Sequence, residues 1–417
     1  MGAVCRSWSS AASKSLKELR TRSNSSSQQI PWVMESAFCP GSRDVNCRIY
    51  SPSDKRMYKF APFPAPPPDD HKHMLSKHFC IKQYRGIQCL GSVDEWLMVV
   101  DRTWHRPCRA SGGESAKVRL YLFNPMTGEH FMLPSQSADI HVISPFISPK
   151  DSFLEKIVAS SVPDTDPNNN NSCIVAAIPA GRNALLFGRP TDEKWTCQRW
   201  YHRKCGDLLF HNDGKLYAMV QEDISYLVVF DPQEVASSKN EYRGKTLFVR
   251  VPHDIPGEME DARASLFRST KGDIMLFWRS EVEDIYLMLR LKFGDQTCQA
   301  EWVKVSGSHD LKDEVIFVGD GGNTSSSMSK LTNSSISELL SLRGGGGNCM
   351  YYDGEEVVRQ ICVYNVAKET RVKYYYSSRK KAYRLLGSGD ARAPDVVEPQ
   401  RKQVWFTPKP VVKDYNS

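Results

Sequence analysis

The pattern of hydrophobic and polar residues changes once along the chain. In the first 22 residues, apolar side chains recur at the spacing of one helix face, at Val4, Trp8, Leu16 and Leu19. Most charged residues between them are basic, and no capping residue precedes the first apolar position. The pattern therefore predicts a helix over residues 1–22 that lacks the usual start signal of a helix.

The rest of the chain shows the pattern of β-structure. A polar, Ser-rich linker at 23–30 and a segment with a Pro-rich loop at 31–78 come first. From about residue 79, short β-branched and aromatic runs alternate with Gly, Asn, Asp and Pro. Several of these runs predict β-hairpins, because turn residues such as Asp-Gly stand between two alternating stretches. The predicted hairpins lie at 120–134, 208–232, 265–280, 286–306 and 348–376.

This recurring unit of strand, glycine-containing turn and strand predicts a mainly β protein. Its repetition over 79–376 favours a β-propeller-like array of small antiparallel sheets, in which radial repetition protects the sheet edges. The irregular spacing of the turn glycines argues against a short-period solenoid. A large β-sandwich or two smaller β-domains stay open as alternatives. Low-complexity insertions at 164–172, 321–337 and 343–347 are predicted to be exposed loops.

The C-terminal residues 377–417 form a basic tail that returns to a β-pattern at VWFTP, residues 404–408. A short apolar strand has no reason to form unless it pairs with a sheet. A ring of sheets has a seam between its first and last members, where an unpaired edge would invite aggregation. We therefore expect Val404 to Thr407 to form a strand near that seam, with Trp405 or Phe406 against the core.

Composition and charge narrow the class of protein. The 417 residues are 40% hydrophobic and 25% charged, and no apolar run is long enough to span a membrane. The net charge of +7 is mild for this length, so nucleic-acid binding is not favoured. Twelve cysteines without a regular framework indicate reduced thiols, and hence a cytoplasmic or nuclear protein. The basic, Ser-rich first thirty residues leave an organellar location as the alternative.

The sequence contains no motif of catalysis, cofactor binding or metal binding. Two groups of Cys and His residues, at 71–80 and 197–211, lack the paired short spacings of a zinc site. The glycine run at 344–347 is not followed by the Lys-Ser/Thr of a phosphate-binding loop. We therefore predict that the protein is not an enzyme and has no catalytic residue, cofactor or metal.

Taken in order, seven segments of the chain resemble the plant F-box proteins that carry a KIB-type β-propeller, a domain of unknown function. Each segment is short, but they keep the family's order over most of the sequence. The segments are PWVM (31–34), CLGSVDEWLMVVD (89–101), LFNPMTGEHFMLP (122–134), LLFHNDGKLYAMV (208–220), DEVIFVGDGGN (313–323), NCMYY (348–352) and VWFTP (404–408).

The resemblance extends to the N-terminal helix and implies a function. Residues 3–12 (AVCRSWSSAA) are similar to the end of an F-box, a compact helical motif, so the resemblance implies an F-box truncated at its N-terminus. It implies that Val4, Cys5 and Trp8 contact a Skp-type adaptor of a cullin-RING (SCF) ubiquitin ligase while the propeller binds a protein substrate. The alternative is a stand-alone interaction module that has lost its coupling to the ligase.

Overall fold

The structure is a computed structural model in which most of the described residues lie in β-strands. The predicted helix at 1–22 and the linker at 23–30 lie outside the described residues. The structure describes residues 32–37, 46–51, 56–58, 63–64, 81–107, 115–134, 154–163, 173–180, 184–190, 192–199, 205–220, 223–237, 244–252, 263–280, 285–294, 299–305, 311, 314–319, 323–327, 349–353, 360–365, 370–377, 382–385 and 401–406.

The described strands form six antiparallel-rich units, which we call blades 1 to 6. Blade 1 contains β1 (Trp32–Ala37), β2 (Asn46–Ser51), β3 (Arg56–Tyr58) and the last strand, β26 (Arg401–Phe406). Blade 2 contains β4 (Ile81–Val93), β5 (Trp96–Pro107), β6 (Ser115–Phe123) and β7 (His130–Met132). Blade 3 contains β8 (Leu154–Ala159), β9 (Val175–Pro179), β10 (Ala184–Gly188) and β11 (Thr196–Arg199).

The second half of the chain supplies the other three blades. Blade 4 contains β12 (Cys205–Phe210), β13 (Leu216–Val220), β14 (Asp223–Phe230) and β15 (Lys245–Arg250), with helix α1 (Pro232–Ser237) before β15. Blade 5 contains β16 (Arg263–Arg268), β17 (Ile274–Ser280), β18 (Ile285–Phe293) and β19 (Gln299–Lys304). Blade 6 contains β20 (Glu314–Val318), β21 (Asn323–Ser327), β22 (Cys349–Asp353), β23 (Gln360–Asn365), β24 (Thr370–Ser377) and β25 (Ala382–Leu385).

The six blades are arranged as a closed ring. The innermost strands touch in the order β26, β4, β8, β12, β16 and β21, and β21 in turn contacts β26. Radial repetition of small sheets around a centre is the architecture of a β-propeller. The prediction of a mainly β, propeller-like fold is therefore confirmed, whereas the boundaries proposed for the separate segments stay predictions.

The ring is closed by pairing the two ends of the described chain. Strand β26 runs antiparallel to β1, with Trp32 opposite Phe406 and Ala37 opposite Arg401. The expected C-terminal strand is thus present. It covers Arg401–Phe406 and so begins and ends earlier in the chain than the expected Val404–Thr407. The side chains of Trp405 and Phe406 are not among those that the structure describes, so their expected contact with the core stays a prediction.

Blade 6 corrects one expectation from the sequence. Residues 323–327, which lie in the Ser- and Asn-rich segment expected to be an exposed loop, form β21 at the inner edge of the blade. Strand β20 is entirely buried, so its backbone groups need a partner on that side. Pairing with β21 provides that partner even though the side chains of β21 have low strand propensity.

Apolar side chains between neighbouring blades form the core. Among the residues that the structure describes, the largest apolar cluster lies between blades 4 and 5 and includes the buried Trp278 and Trp302. The outer strands β15 and β19 of these blades pair in parallel, with Phe248 opposite Gln299, so the two blades share one continuous sheet. Burying each large apolar side chain contributes about 1.5–3 kcal/mol, so these layers stabilise the ring.

Candidate functional site

Polar groups connect adjacent blades at two places, and the first lies near the centre of the ring. Lys156 on β8 forms an ion pair with Asp207 on β12. The other carboxylate oxygen of Asp207, Oδ2, accepts a 2.7 Å hydrogen bond from the backbone N–H of Leu266 on β16. We call Lys156, Asp207 and Leu266 the inner junction. It joins the innermost strands of blades 3, 4 and 5.

Local backbone geometry places the side chains of the inner junction. The strand register shifts between Leu154 and Lys156 on β8 and between Cys205 and Asp207 on β12, as in a β-bulge. A bulge re-aims the side chain that follows it. Lys156 and Asp207 are only 8% and 2% exposed, so each needs the other as a charge partner. The inner junction is therefore a structural connection that is closed to solvent.

The second connection lies at the hairpin turns between the first two strands of blades 4 and 5. Glycines with positive φ, Gly214 (78°) and Gly272 (93°), allow these tight turns. The His211 ring nitrogen Nε2 lies 2.6 Å from the carbonyl oxygen of Gly272 and donates to it, because a carbonyl can only accept. Arg268 donates to the side-chain amide oxygen of Asn212, which adds a second link between the turns.

Within the blade 4 turn, a chain of polar contacts fixes the side chains. The Tyr217 hydroxyl donates a 2.8 Å hydrogen bond to Asp213, and the other oxygen of Asp213 lies 3.2 Å from His211 Nδ1. Burial opposes ionisation of Asp213, but the Lys215 N–H, the Tyr217 hydroxyl and His211 outweigh it, so its pKa is lowered. Burial, followed by the bond to Asp213, raises the pKa of Tyr217.

An exposed aromatic ring stands beside these turns. Phe293, at the end of β18, is 55% exposed, and its ring centroid lies 6.5 Å from that of Tyr217. The Tyr217 ring in turn lies edge-on to His211, with centroids 5.8 Å apart. We call residues 211–217 and 268–273 together with Phe293 the turn face. It presents an apolar ring on a support of rigid, mutually bonded turns.

Blade 6 meets the turn face through a buried carboxyl group. The hydroxyl of Thr270 donates a 2.9 Å hydrogen bond to Glu314 Oε1. Glu314 is only 2% exposed, and its second oxygen, Oε2, has no hydrogen-bond partner. Burial raises the pKa of Glu314, with Asp273 adding to the shift while Thr270 and Lys271 oppose it. Glu314 thus joins blade 6 to blade 5, and burial of its carboxylate lowers the stability of this connection when the group is ionised.

The side chains of the turn face are held in defined positions by their neighbours. Both nitrogens of His211 face protein groups, so the ring is held in place by its neighbours. Away from this site, in blades 2 and 3, burial raises the pKa of the Cys89 thiol to about 12 and that of Cys173 to about 11, which keeps these sulfurs in the unreactive thiol form. An exposed aromatic ring on a rigid support is the kind of feature that dominates protein interfaces.

The site residues predicted from the sequence, Val4, Cys5 and Trp8, lie outside the described residues. Within the described part of the chain, no three His, Cys, Asp or Glu side chains are grouped so that they could hold a metal ion. Of the group at 197–211, Cys197 is exposed on β11, Cys205 is buried in β12 and His211 bonds Gly272. The described helix is too short and too polar to cross a membrane.

Comparison with known protein families identifies the family of this β-propeller. Residues 49–365, most of the chain, match the family model described as KIB1-4 beta-propeller. The chain belongs to the KIB1-4 β-propeller family. This match covers the inner junction and the turn face, whereas the ring-closing strands β1 and β26 lie outside it. The KIB1-4 propeller is thus an interaction-type domain that carries both sites. No curated protein matches the chain.

Two solved structures match the chain at low similarity. YCF48 bound to D1 peptide is 11% identical, with 66% of this chain and 81% of that chain covered and a TM-score of 0.30. Hsv2 from Kluyvelomyces marxianus is 8% identical, with 74% and 82% covered and a TM-score of 0.25. Likeness at this level carries no information about what the KIB1-4 propeller binds.

Sequence reasoning missed both polar connections. Asp207 stands before an apolar run in CGDLLF, and Lys156 stands beside Glu155 in LEKIVA, so charged residues within otherwise apolar strands were the available signal. The hairpin turn at Asp213-Gly214 was predicted from the sequence. The hydrogen bond from His211 to Gly272 was not, because it joins residues far apart in the sequence. Phe293 ends a predicted strand. Which side of its ring is exposed to solvent becomes clear only from its position beside the neighbouring blade.

Proposed function

We propose that this chain recruits a protein partner through the turn face of its KIB1-4 propeller and presents it to a ubiquitin ligase. In this proposal the F-box-like segment at 1–22 binds a Skp-type adaptor, with Val4, Cys5 and Trp8 at the contact. The family match supports the interaction role of the propeller. The resemblance of residues 3–12 to the end of an F-box supports the connection to the ligase.

The observation that carries the interaction role is the exposed Phe293 beside Tyr217. Interfaces concentrate their binding energy in a few aromatic and Arg side chains held in defined positions. The turn face holds such groups in position before any partner arrives, because His211 and Asn212 bond the neighbouring turn. Pre-organised groups lose little conformational entropy on binding, so more of the contact energy appears as affinity.

The proposed role requires no chemistry from the propeller itself. A substrate held on the turn face and a ligase held by the N-terminal segment belong to one assembly. The effective concentration of the substrate at the ligase then reaches the millimolar range for short connections. Transfer of ubiquitin is thus accelerated by proximity, while the reacting groups belong to the ligase.

Affinity capture with a matched pair of variants tests the interaction role. Phe293→Ala removes the ring of the turn face, whereas Phe248→Ala removes another exposed ring, 69% exposed, on the outer strand β15. We expect proteins captured by the wild-type chain to be lost with Phe293→Ala and kept with Phe248→Ala. Equal capture by the three chains would show that the partner binds elsewhere.

Co-purification with a Skp-type adaptor tests the connection to the ligase separately. We expect the full chain to retain the adaptor and Trp8→Ala to release it, while the melting temperature of the propeller is unchanged. A folded chain that never retains the adaptor would remove the ligase role. It would leave the alternative, a stand-alone module that binds its partner without delivering it.

A further inference from the structure

We propose that the blade 5 turn, residues 268–273, is a pH-sensitive connection that is strongest when both His211 and Glu314 carry a proton. His211 contacts this turn from blade 4, and Glu314 contacts it from blade 6. This goes beyond the proposed function, because it concerns how firmly the turn face is held and requires no partner. Two titratable groups from different blades thus converge on one turn.

Protonation of His211 exchanges a weak hydrogen bond for a stronger one. Its Nε2 lies 2.6 Å from the carbonyl oxygen of Gly272, so this nitrogen carries a hydrogen in both charge states. Its Nδ1 lies 3.2 Å from Asp213 Oδ1 and 3.5 Å from the backbone nitrogen of Asp213. When the ring is neutral, the Nδ1 lone pair faces a carboxylate and accepts only the long bond from the backbone N–H. When the ring is protonated, Nδ1 donates a charge-assisted hydrogen bond to that carboxylate.

Protonation of Glu314 removes a buried charge but keeps the contact with blade 5. Thr270 donates a 2.9 Å hydrogen bond to Glu314 Oε1, which can accept that bond in either charge state. The residue is only 2% exposed, and Oε2 has no hydrogen-bond partner among the described residues. An ionised carboxylate is therefore buried here with one oxygen uncompensated. Burial raises the pKa of Glu314, in agreement with this geometry.

The described groups around His211 favour its protonated form on balance. The carboxylate of Asp213, whose lowered pKa keeps it ionised, attracts the cation. Arg268 bonds Asn212, the next residue in the chain, and its positive charge opposes the cation. The Tyr217 ring lies edge-on to His211 and stays neutral, because burial, followed by the bond to Asp213, raises its pKa. Asp213 contacts the histidine directly, whereas Arg268 acts from the neighbouring residue, so we expect the attraction to prevail.

Charges of both signs also surround Glu314 and the rest of the turn face. Asp273 favours protonated Glu314, and Lys271 favours the ionised form. The remaining charged residues of the turn face and of the strands beside Phe293 are Lys215, Lys292 and Glu301. Lys, Arg, Asp and exposed Glu side chains ordinarily keep their charge between pH 5 and pH 8, whereas histidine ordinarily changes its charge in this range. These neighbours therefore supply a constant field, and acidification changes this turn through His211 and Glu314.

The two protonation steps act in the same direction, so their effects on the blade 5 turn add. As the pH rises, the turn loses a charge-assisted hydrogen bond on its blade 4 side and faces a buried charge on its blade 6 side. Local opening of the turn then becomes more frequent. The backbone N–H groups of Ser269 and Gly272, which donate to carbonyl oxygens within the turn, report such opening by exchanging with solvent.

Hydrogen–deuterium exchange of the full chain from pH 5 to pH 8 tests this without a partner. Peptides that cover residues 268–273 are compared with peptides from the reference hairpin of blade 2, residues 120–134, and each rate is divided by the intrinsic rate of an unstructured peptide at that pH. We expect protection of the blade 5 turn to fall by roughly three- to tenfold over this range, because one exposed ion pair and one buried carboxyl group contribute. Protection of the reference hairpin should change by less than about twofold.

Variants that do not titrate identify the groups responsible. His211→Gln keeps an N–H donor for Gly272 but cannot gain a charge, and Glu314→Gln keeps an acceptor for Thr270 but stays neutral. Each variant should reduce the pH dependence of protection, and the double variant His211→Gln/Glu314→Gln should remove it. His130→Gln, which replaces an exposed histidine of blade 2, is the matched control and should behave as the wild type does.

Several outcomes would overturn the proposal. Protection of the wild-type turn that is constant or rises with pH contradicts it without any variant. An equal change in the reference hairpin, or a pH dependence that survives in the double variant, contradicts it as well. A dependence that one single variant removes completely would exclude the joint role of the two groups. None of these outcomes bears on capture of a protein by the turn face, so this proposal and the proposed function fail separately.

Discussion

The inner junction and the turn face both connect neighbouring blades and both contain a carboxylate, yet the two carboxylates have opposite relations to water. Asp207 is buried and bonds Lys156 and a backbone N–H across three inner strands. Asp213 lies on the surface and bonds groups of its own turn and the adjacent His211. Without water, every partner of Asp207 must be supplied by the protein, whereas solvent can replace a lost partner of Asp213.

Because of this difference, we expect the inner junction to contribute mainly to stability and the turn face mainly to recognition. A buried ion pair is strongly destabilised by loss of one member, because the other charge stays buried without compensation. An exposed network contributes little to stability, but it holds side chains in a fixed arrangement at the surface. Substitutions in the turn face can therefore change its surface chemistry while the inner junction continues to stabilise the centre of the ring.

The largest expected effect is that of Asp207→Ala. The substitution leaves the Lys156 ammonium buried without a counter-charge and the Leu266 N–H without its acceptor, so we expect a loss of about 3–5 kcal/mol in the free energy of unfolding. Urea unfolding followed by circular dichroism measures this loss. The double variant Lys156→Met/Asp207→Ala should recover part of the stability. A loss below about 1 kcal/mol in the single variant would show that the inner junction does not stabilise the ring.

Glu314→Gln tests a buried carboxyl group beside the turn face. The folded pKa of Glu314 is raised above its ordinary value of 4.5, mainly by burial. Its favourable contribution is therefore complete below pH 4.5 and is lost as the pH rises through the folded pKa. The amide stays neutral, so we expect the variant to gain about 1–3 kcal/mol relative to the wild type between acid and neutral pH.

The measurement for Glu314→Gln is the melting temperature of both chains from pH 4 to pH 8. Thr270→Val, which removes the donor to Oε1, serves as the companion variant. A difference between Glu314→Gln and wild type that is constant over this range would contradict a raised pKa. It would indicate that Glu314 Oε2 has a partner in solution.

Tyr217→Phe removes one hydrogen bond of the turn face and keeps the ring. We expect a loss of about 1 kcal/mol, because water can replace the hydroxyl as a donor to the half-exposed Asp213. The aromatic contact with Phe293 is retained, so partner capture should be weakened much less than by Phe293→Ala. Urea unfolding and the capture assay together check this prediction. Capture lost completely with Tyr217→Phe would assign binding to the hydroxyl rather than to the rings.

The smallest expected effect is that of Asp213→Asn, and its pH dependence has the opposite sign to that of Glu314→Gln. The folded pKa of Asp213 is lowered below its ordinary value of 3.8, so its contribution is present above pH 3.8 and is lost as the pH falls through the folded pKa. We expect the wild type to melt at a higher temperature than Asp213→Asn at neutral pH, and the difference to close in acid. Melting curves from pH 2.5 to pH 7 check this. A difference that is wider at pH 2.5 than at pH 7 would contradict the lowered pKa.

Local features of the fold were predictable from the sequence, whereas contacts between blades were not. The hairpin at Asp213-Gly214 follows from turn residues between two alternating runs. The closed ring depends on contacts between strands far apart in the sequence, such as β21 with β26, and no local pattern encodes those contacts. Strand β21 is the sharpest example, since its Ser-rich sequence indicates a loop and only the need of β20 for a partner makes it a strand.

The candidate sites show the same limit. The aromatic and hydrogen-bonding residues of the turn face are ordinary when the sequence is read in order, because they come from two separate turns and from the end of β18. Their meaning depends on the bond between His211 and Gly272, which brings blades 4 and 5 together. Asp207 and Lys156 likewise become a pair only when bulges on two different strands aim them at each other.

The antiparallel pairing of β1 and β26 also determines how the ring responds to force. Trp32 lies opposite Phe406, so the two ends of the chain leave the pair on the same side. Tension between these ends loads the outermost hydrogen bonds first and opens the strands one bond after another, whereas a shearing geometry would load all of them together. We therefore expect tension between the two ends to separate β1 from β26 by opening their hydrogen bonds in sequence.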